Sequence, residues 1–68
     1  MSAEIGRKYQ HFKGNIYTVR CMAAHADTKE LFVVYERDDT GEIYVRPLVD
    51  WEEPVTISGN LIPRFVRL

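Results

Sequence analysis

The stretch Leu31-Phe32-Val33-Val34-Tyr35-Glu36-Arg37-Asp38-Asp39-Thr40-Gly41-Glu42-Ile43-Tyr44-Val45-Arg46-Pro47 reads as a β-hairpin. Its two arms, Leu31–Glu36 and Glu42–Arg46, are rich in β-branched and aromatic residues, which suit a pleated, half-buried surface. Between them Asp38-Asp39-Thr40-Gly41 supplies the loop, with Gly41 in the left-handed position that side chains resist. Pro47 has no N–H to give a ladder, so the second arm ends there.

The same turn chemistry recurs on both sides. Gly14-Asn15 separates Gln10–Lys13 from the run Ile16–Ala24, and Gly59-Asn60 separates Val55–Ser58 from Leu61-Ile62. Glycine followed by asparagine between apolar runs is a hairpin signal, because the loop needs positive φ. Alternation along Ile16–Ala24 puts Tyr17, Val19, Cys21, Ala23 and His25 on one face, taken as the inner one, and Thr18, Arg20 and Met22 on the other. Residues 24–30 read as a loop or short helical turn, and Leu48–Glu53 as one helical turn stopped by Pro54. In the second hairpin arm Val45 is expected inward and Arg46 outward. About five short antiparallel strands of this kind cannot enclose an interior as two sheets. The expected fold is all-β, a small SH3-like barrel, whose strand order the sequence leaves open. Residues 1–68 form a single domain, of which 1–6 read as a loose N-terminal segment.

Length and composition set the outer bounds. A 68-residue chain is one domain with a thin core, which excludes large-enzyme folds and repeat arrays. With 46% hydrophobic residues it has enough apolar surface to fold rather than stay disordered. Nine basic residues against ten acidic ones disfavour non-specific binding to a phosphate backbone. The charge is uneven: +3 from Met1 to Arg20, −6 from Cys21 to Glu53, and +2 from Arg64 and Arg67. One cysteine cannot form an internal disulfide, and the longest apolar run, Leu31–Tyr35, is far short of a membrane span. Those features, and the absence of a signal-like apolar segment after Met1, point to the cytoplasm.

Several short motifs occur together in a definite order: Tyr9-x-His11-Phe12-Lys13-Gly14, Tyr17-x-Val19, Ala23-x-His25-x-Asp27-Thr28, Val33-Val34-Tyr35, Val45-Arg46-Pro47, then Gly59 and Pro63-Arg64-Phe65. In that order and spacing, from about Gly6 to Phe65, the chain resembles the bacterial family known as domain of unknown function 1653. The resemblance implies an SH3-like barrel and supplies a surface rather than a reaction. The chain departs from the family pattern at Asp27, where a Glu is usual, at Arg37–Gly41, where a Leu-Tyr-Gly type of segment is usual, and at Asp50-Trp51, where Met-Phe is usual.

Candidate chemistry divides into weak and stronger constellations. Cys21 and His25 are four apart, which on a strand means a Cα separation of ~13 Å, too far for one to activate the other. One cysteine and two histidines do not make a structural zinc site, so neither a metal nor another cofactor is expected. His25 and Asp27 share a face if the strand continues, and a carboxylate beside an imidazole fixes its tautomer. Asp27 and Thr28 equally suit turn capping. Arg46 and Arg64 are guanidinium forks beside prolines, suited to a carboxylate or phosphate, with cross-sheet pairing to Glu30, Glu36, Glu52 or Glu53 as the alternative. Tyr9, Tyr35, Tyr44, Trp51 and Phe65 are core or groove aromatics.

The reading is a non-catalytic binding module for a small ligand, nucleic acid or protein segment, with no catalytic residue assigned. Its candidate ligand-binding residues are His25, Asp27, Thr28, Tyr35, Tyr44, Arg46 and Arg64. The partner is an unknown ligand or protein, without a membrane, and the chain is a monomer or weak dimer. A minimal enzyme on a nucleotide-like or phosphorylated substrate, with His25 as acid or base, is the competing reading. A purely structural or interaction domain is the third.

Overall fold

The computed structural model describes residues 3–68. Seven strands and one short helix follow in the order β1 (Lys8–His11), β2 (Ile16–Ala24), β3 (Leu31–Arg37), β4 (Ile43–Pro47), α1 (Leu48–Glu52), β5 (Val55–Ile57), β6 (Asn60–Ile62) and β7 (Phe65–Arg67). Five strands make one antiparallel sheet in the order β4-β3-β2-β1-β7, while β5 and β6 form a separate hairpin. The all-β antiparallel expectation is therefore met. The ladder itself is open, since among the described residues no pairing joins β4 to β7.

The sheet is nevertheless strongly curled. Strands lie about 4.8 Å apart, so a flat sheet would hold β4 and β7 roughly 19 Å from each other. Yet the Arg46 guanidinium on β4 stands 5.9 Å from the centre of the Phe65 ring on β7. The concave side so formed carries the core: Tyr9, Val19, Val33 and Tyr35 from the sheet, Ala3 from the N-terminal segment and Trp51 from α1. Trp51 stacks on Phe65 with centroids 3.7 Å apart and meets Tyr9 and Tyr35 edge-on at 5.3 and 5.1 Å. One indole thus joins the helix to three strands.

The hairpins are as anticipated in place but not always in type. Gly41 has φ +76° and donates its N–H to the Arg37 carbonyl, closing the β3–β4 loop. The β5–β6 turn is Ser58-Gly59, with φ of +50° and +80°, so Asn60 falls in the strand. Two positive φ values in succession are what a tight hairpin twisted with its strands requires. Residues 25–30 join β2 to β3 as a turn.

Two face assignments are corrected by the structure. β2 keeps Val19 inward, opposite Tyr35, but a bulge between Val19 and Cys21 makes Arg20 an extra residue. Beyond it the phase reverses: Cys21 pairs with Val34 and is exposed, while Met22 pairs with Val33 and packs on the core. A single bulged residue is enough to move every later side chain to the opposite face. On β4 the partners of buried Val33 and Tyr35 are Arg46 and Tyr44. Arg46 therefore lies on the concave side and Val45, 63% exposed, on the convex side. The N-terminal residues 3–6 are tied down: Ala3 is buried, the Glu4 N–H donates to Tyr9 Oη at 2.8 Å, and the Gly6 N–H donates to the Val19 carbonyl. Met1 and Ser2 of the expected loose segment lie outside the described residues.

Candidate functional site

Part of the concave face is an aromatic floor with cations beside it. Tyr17, Tyr35, Tyr44 and Phe65 project from four different strands, because alternation and register bring their inner positions together. Tyr35 lies 5.2 Å from Tyr17, 5.9 Å from Tyr44 and 5.8 Å from Phe65, centroid to centroid. Such edge-to-face packing holds the rings in fixed positions. Tyr44 forms the outer rim, and burial together with a hydrogen bond to Glu42 pushes its hydroxyl pKa up.

Arg46 enters this floor from β4. Its Nε donates to Tyr35 Oη at 3.2 Å, and its guanidinium lies over the face of Phe65. That combination fixes the guanidinium plane while leaving its terminal nitrogens available. Arg64 precedes β7, where the Phe12 N–H donates to its carbonyl at 3.0 Å. The Nε of Arg64 is buried and has no hydrogen-bond partner. Among the described residues no carboxylate lies within ion-pair distance of Arg46 or Arg64. Glu36, one of the acids named from sequence as an alternative partner for them, instead faces Arg20 at 3.5 Å.

His11, on β1, packs on Phe12, Tyr17 and Phe65 at the side of the floor. Burial, then the positive charges of Arg46, Lys13 and Arg64, hold its pKa below the usual imidazole value. The ring is thus neutral near pH 7. Its Nδ1 accepts the Lys13 N–H at 3.2 Å, which places the remaining proton on Nε2. His11 stands in the motif that carries the family resemblance but was not among the candidate ligand-binding residues. The available signal was its spacing, two residues after Tyr9 on a strand whose inner face Tyr9 marks.

Arg37, also on the concave side, has a different fate. Its Nε and Nη2 grip both carboxylate oxygens of Asp39 at 2.6 and 3.1 Å, and Nη2 also reaches Asn15. That grip lowers the Asp39 pKa, and Lys8 with Thr18 does the same for Asp38. An open hollow of about 420 Å³ lies between these acids and Gly14–Ile16, but its carboxylates are already engaged. A second hollow, about 300 Å³, runs beside His11 under Ile62 and Pro63.

Of the residues proposed from sequence, Tyr35, Tyr44 and Arg46 are brought together directly, and Arg64 immediately precedes Phe65, whose ring packs on Tyr35. His25, Asp27 and Thr28 lie in the exposed β2–β3 turn. There the His25 Nδ1 accepts the Asp27 and Thr28 N–H groups at 3.2 and 3.3 Å, and Thr28 Oγ1 accepts the Glu30 N–H. These bonds build the turn itself. Among the described residues no group of His, Cys, Asp and Glu is arranged to hold a metal ion, and no helix is long and apolar enough to cross a membrane.

A family model described as protein of unknown function (DUF1653) matches residues 7–67 of the chain. The crystal structure of a protein of that family from Bordetella bronchiseptica is similar over 100% of this chain and 91% of its own, with 30% identity and a TM-score of 0.83. No curated protein matches.

Proposed function

This chain belongs to the DUF1653 family, and we propose that it is a non-catalytic binding module, an SH3-like barrel whose concave face receives an anionic group between Arg46 and Arg64. One observation carries this reading. In a chain with ten acidic and nine basic residues, these two partly buried guanidiniums have no carboxylate partner among the described residues. Partly buried charges are ordinarily paired, and an orphaned buried donor such as Arg64 Nε costs stability unless something accepts from it. A bound oxyanion would satisfy both. His11, kept neutral by its surroundings, adds an Nε2–H donor without a third full charge, and the aromatic floor excludes water from the contact.

Tyr35, Tyr44, Arg46 and Arg64 carry the proposal, with His11 added. His25, Asp27 and Thr28 are read as turn-forming. A catalytic reading through His25 lacks support, since its Nδ1 is engaged by backbone N–H groups and Cys21 faces outward. The single exposed thiol accords with a cytoplasmic setting. The test is calorimetric titration with inorganic phosphate and with citrate at constant ionic strength. Saturable binding is expected, weakened at least tenfold, about 1.4 kcal/mol, by Arg46→Met or Arg64→Met. Binding that is absent, or unchanged in the double variant, refutes the reading.

A further inference from the structure

The outer edge of β4 has a hydrogen-bonding pattern that can be read from its register. The Arg37 N–H donates to the Glu42 carbonyl, and pairing runs unbroken from Glu36↔Ile43 to Phe32↔Pro47. Bonded and non-bonded pairs alternate along an antiparallel ladder. Tyr44 and Arg46 therefore turn their backbone groups toward β3, and Ile43, Val45 and Pro47 turn theirs to the open side. Pro47 is an independent check on this parity, because its missing N–H falls where β3 needs no donor. The open edge presents the N–H and carbonyl groups of Ile43 and Val45, while the Pro47 carbonyl, at the N-cap of α1, serves the first turn of the helix.

Side chains flank this edge differently on its two sides. Ile43 and Val45, 54% and 63% exposed, lie on the convex side next to Val34. Tyr44 and unpaired Arg46 lie on the concave side. Proteins usually blunt such an edge with lysine, proline, an inward-pointing charge, a bulge or a covering segment, and of these β4 has Pro47 at its last position and Arg46 on the concave side, which leave Ile43–Val45 open. Between Ile43 and Arg46 there is no lysine and no register shift, and among the described residues no strand other than β3 pairs with β4. The opposite edge, β7, is short at three residues.

We propose that β4 accepts an extended antiparallel segment of a partner protein as an added strand, carrying an acidic residue opposite Arg46 on the concave side and β-branched residues that cover Ile43 and Val45 on the convex side. The segment has the pattern β-branched, acidic, β-branched, any residue, β-branched, set by the alternation of the two faces. A second copy of this chain fits less well. Antiparallel self-pairing about Val45 puts Ile43 opposite Pro47, which has no N–H for the Ile43 carbonyl, and sets Arg46 against Tyr44 instead of a carboxylate. The proposal rests on the anion reading above only for the acid opposite Arg46.

The probe is the capped peptide acetyl-Thr-Val-Glu-Val-Thr-Val-amide, titrated into the ¹⁵N-labelled chain. Saturable amide shifts confined to Ile43–Arg46 and neighbouring β3 are expected, with slowed exchange of the Ile43 and Val45 N–H. A peptide with Lys in place of Glu should bind at least tenfold more weakly. Val45→Pro, which removes one edge donor, should abolish binding while phosphate titration is unchanged. Val45→Lys serves the same purpose should the proline variant melt early. Shifts elsewhere, no binding by a chain that still binds phosphate, or amides of β4 already protected in a concentration-dependent dimer would each overturn the added strand. Peptide affinity unchanged in Arg46→Met would overturn the acid–Arg46 pairing while leaving the edge intact.

Discussion

Arg64→Met should make the protein more stable while removing a ligand contact. The Arg64 Nε is buried without a partner, and an unsatisfied buried donor costs about 1–3 kcal/mol. Methionine keeps the stem and most of its packing, and volume-conserving swaps of this kind usually cost less than ~1.5 kcal/mol. A net gain of about 1 kcal/mol corresponds to roughly 4–8 °C in a domain of this size. Arg46→Met should move the other way. It strips the 3.2 Å hydrogen bond from the hydroxyl of Tyr35, a residue only 5% exposed. Leaving that oxygen without a partner costs about 1–3 kcal/mol. The assay is thermal melting by circular dichroism in a zwitterionic buffer, repeated with added phosphate. Phosphate should raise the wild-type midpoint and leave that of Arg64→Met nearly unmoved. An Arg64→Met protein that melts at or below the wild type refutes the reasoning.

Trp51→Ala should cost about 3–5 kcal/mol, enough to leave a domain of this size largely unfolded at 25 °C by chemical-denaturation analysis, because the indole is 3% exposed and stacks on Phe65. Val45→Ala, on the convex side, should change the same measurement by less than about 0.5 kcal/mol. A thiol reagent should label Cys21 at similar rates in the native and urea-unfolded protein, since the residue is exposed; strong native protection would contradict the bulge at Arg20. His11 has a lowered folded-state pKa, so its contribution is present above the unfolded value of 6.5 and is lost as pH falls through 6.5 toward the folded pKa. Midpoints measured across that window should decline in the wild type and decline less in His11→Gln.

The hairpins were legible because turn chemistry is local: Gly41 and Gly59 need positive φ whatever surrounds them. The inner faces were legible only up to the first irregularity. Tyr17 and Val19 follow simple alternation, but nothing in Val19-Arg20-Cys21-Met22 marks which residue is extra. On β4, hydropathy favours Val45 inside over Arg46. The preference is reversed because Arg46 finds a hydrogen-bond partner in Tyr35 and an aromatic face in Phe65. Pro47 had held the parity information all along, through the N–H it lacks. Tyr35, Tyr44 and Arg46 meet across one strand pair, which a hairpin reading could anticipate. The approach of Arg64 and His11 depends on how far the sheet curls, a property of the whole sheet rather than of any residue pair.

The ion pair between Arg67 and Glu4, at 2.7 Å, has a bearing on how the unit can be connected to other chains. Together with the bond from the Leu68 N–H to the Lys8 carbonyl, it brings the entering and leaving segments side by side on β1. Among the described residues, Glu4 and Leu68 therefore leave the fold near one another. The unit can be spliced into a surface loop of a host domain without prising that loop apart, and joining its ends by a few residues adds little closure entropy. Cutting the ring instead at the exposed Asp38–Gly41 loop would leave the aromatic floor whole and place new ends beside the hairpin tips.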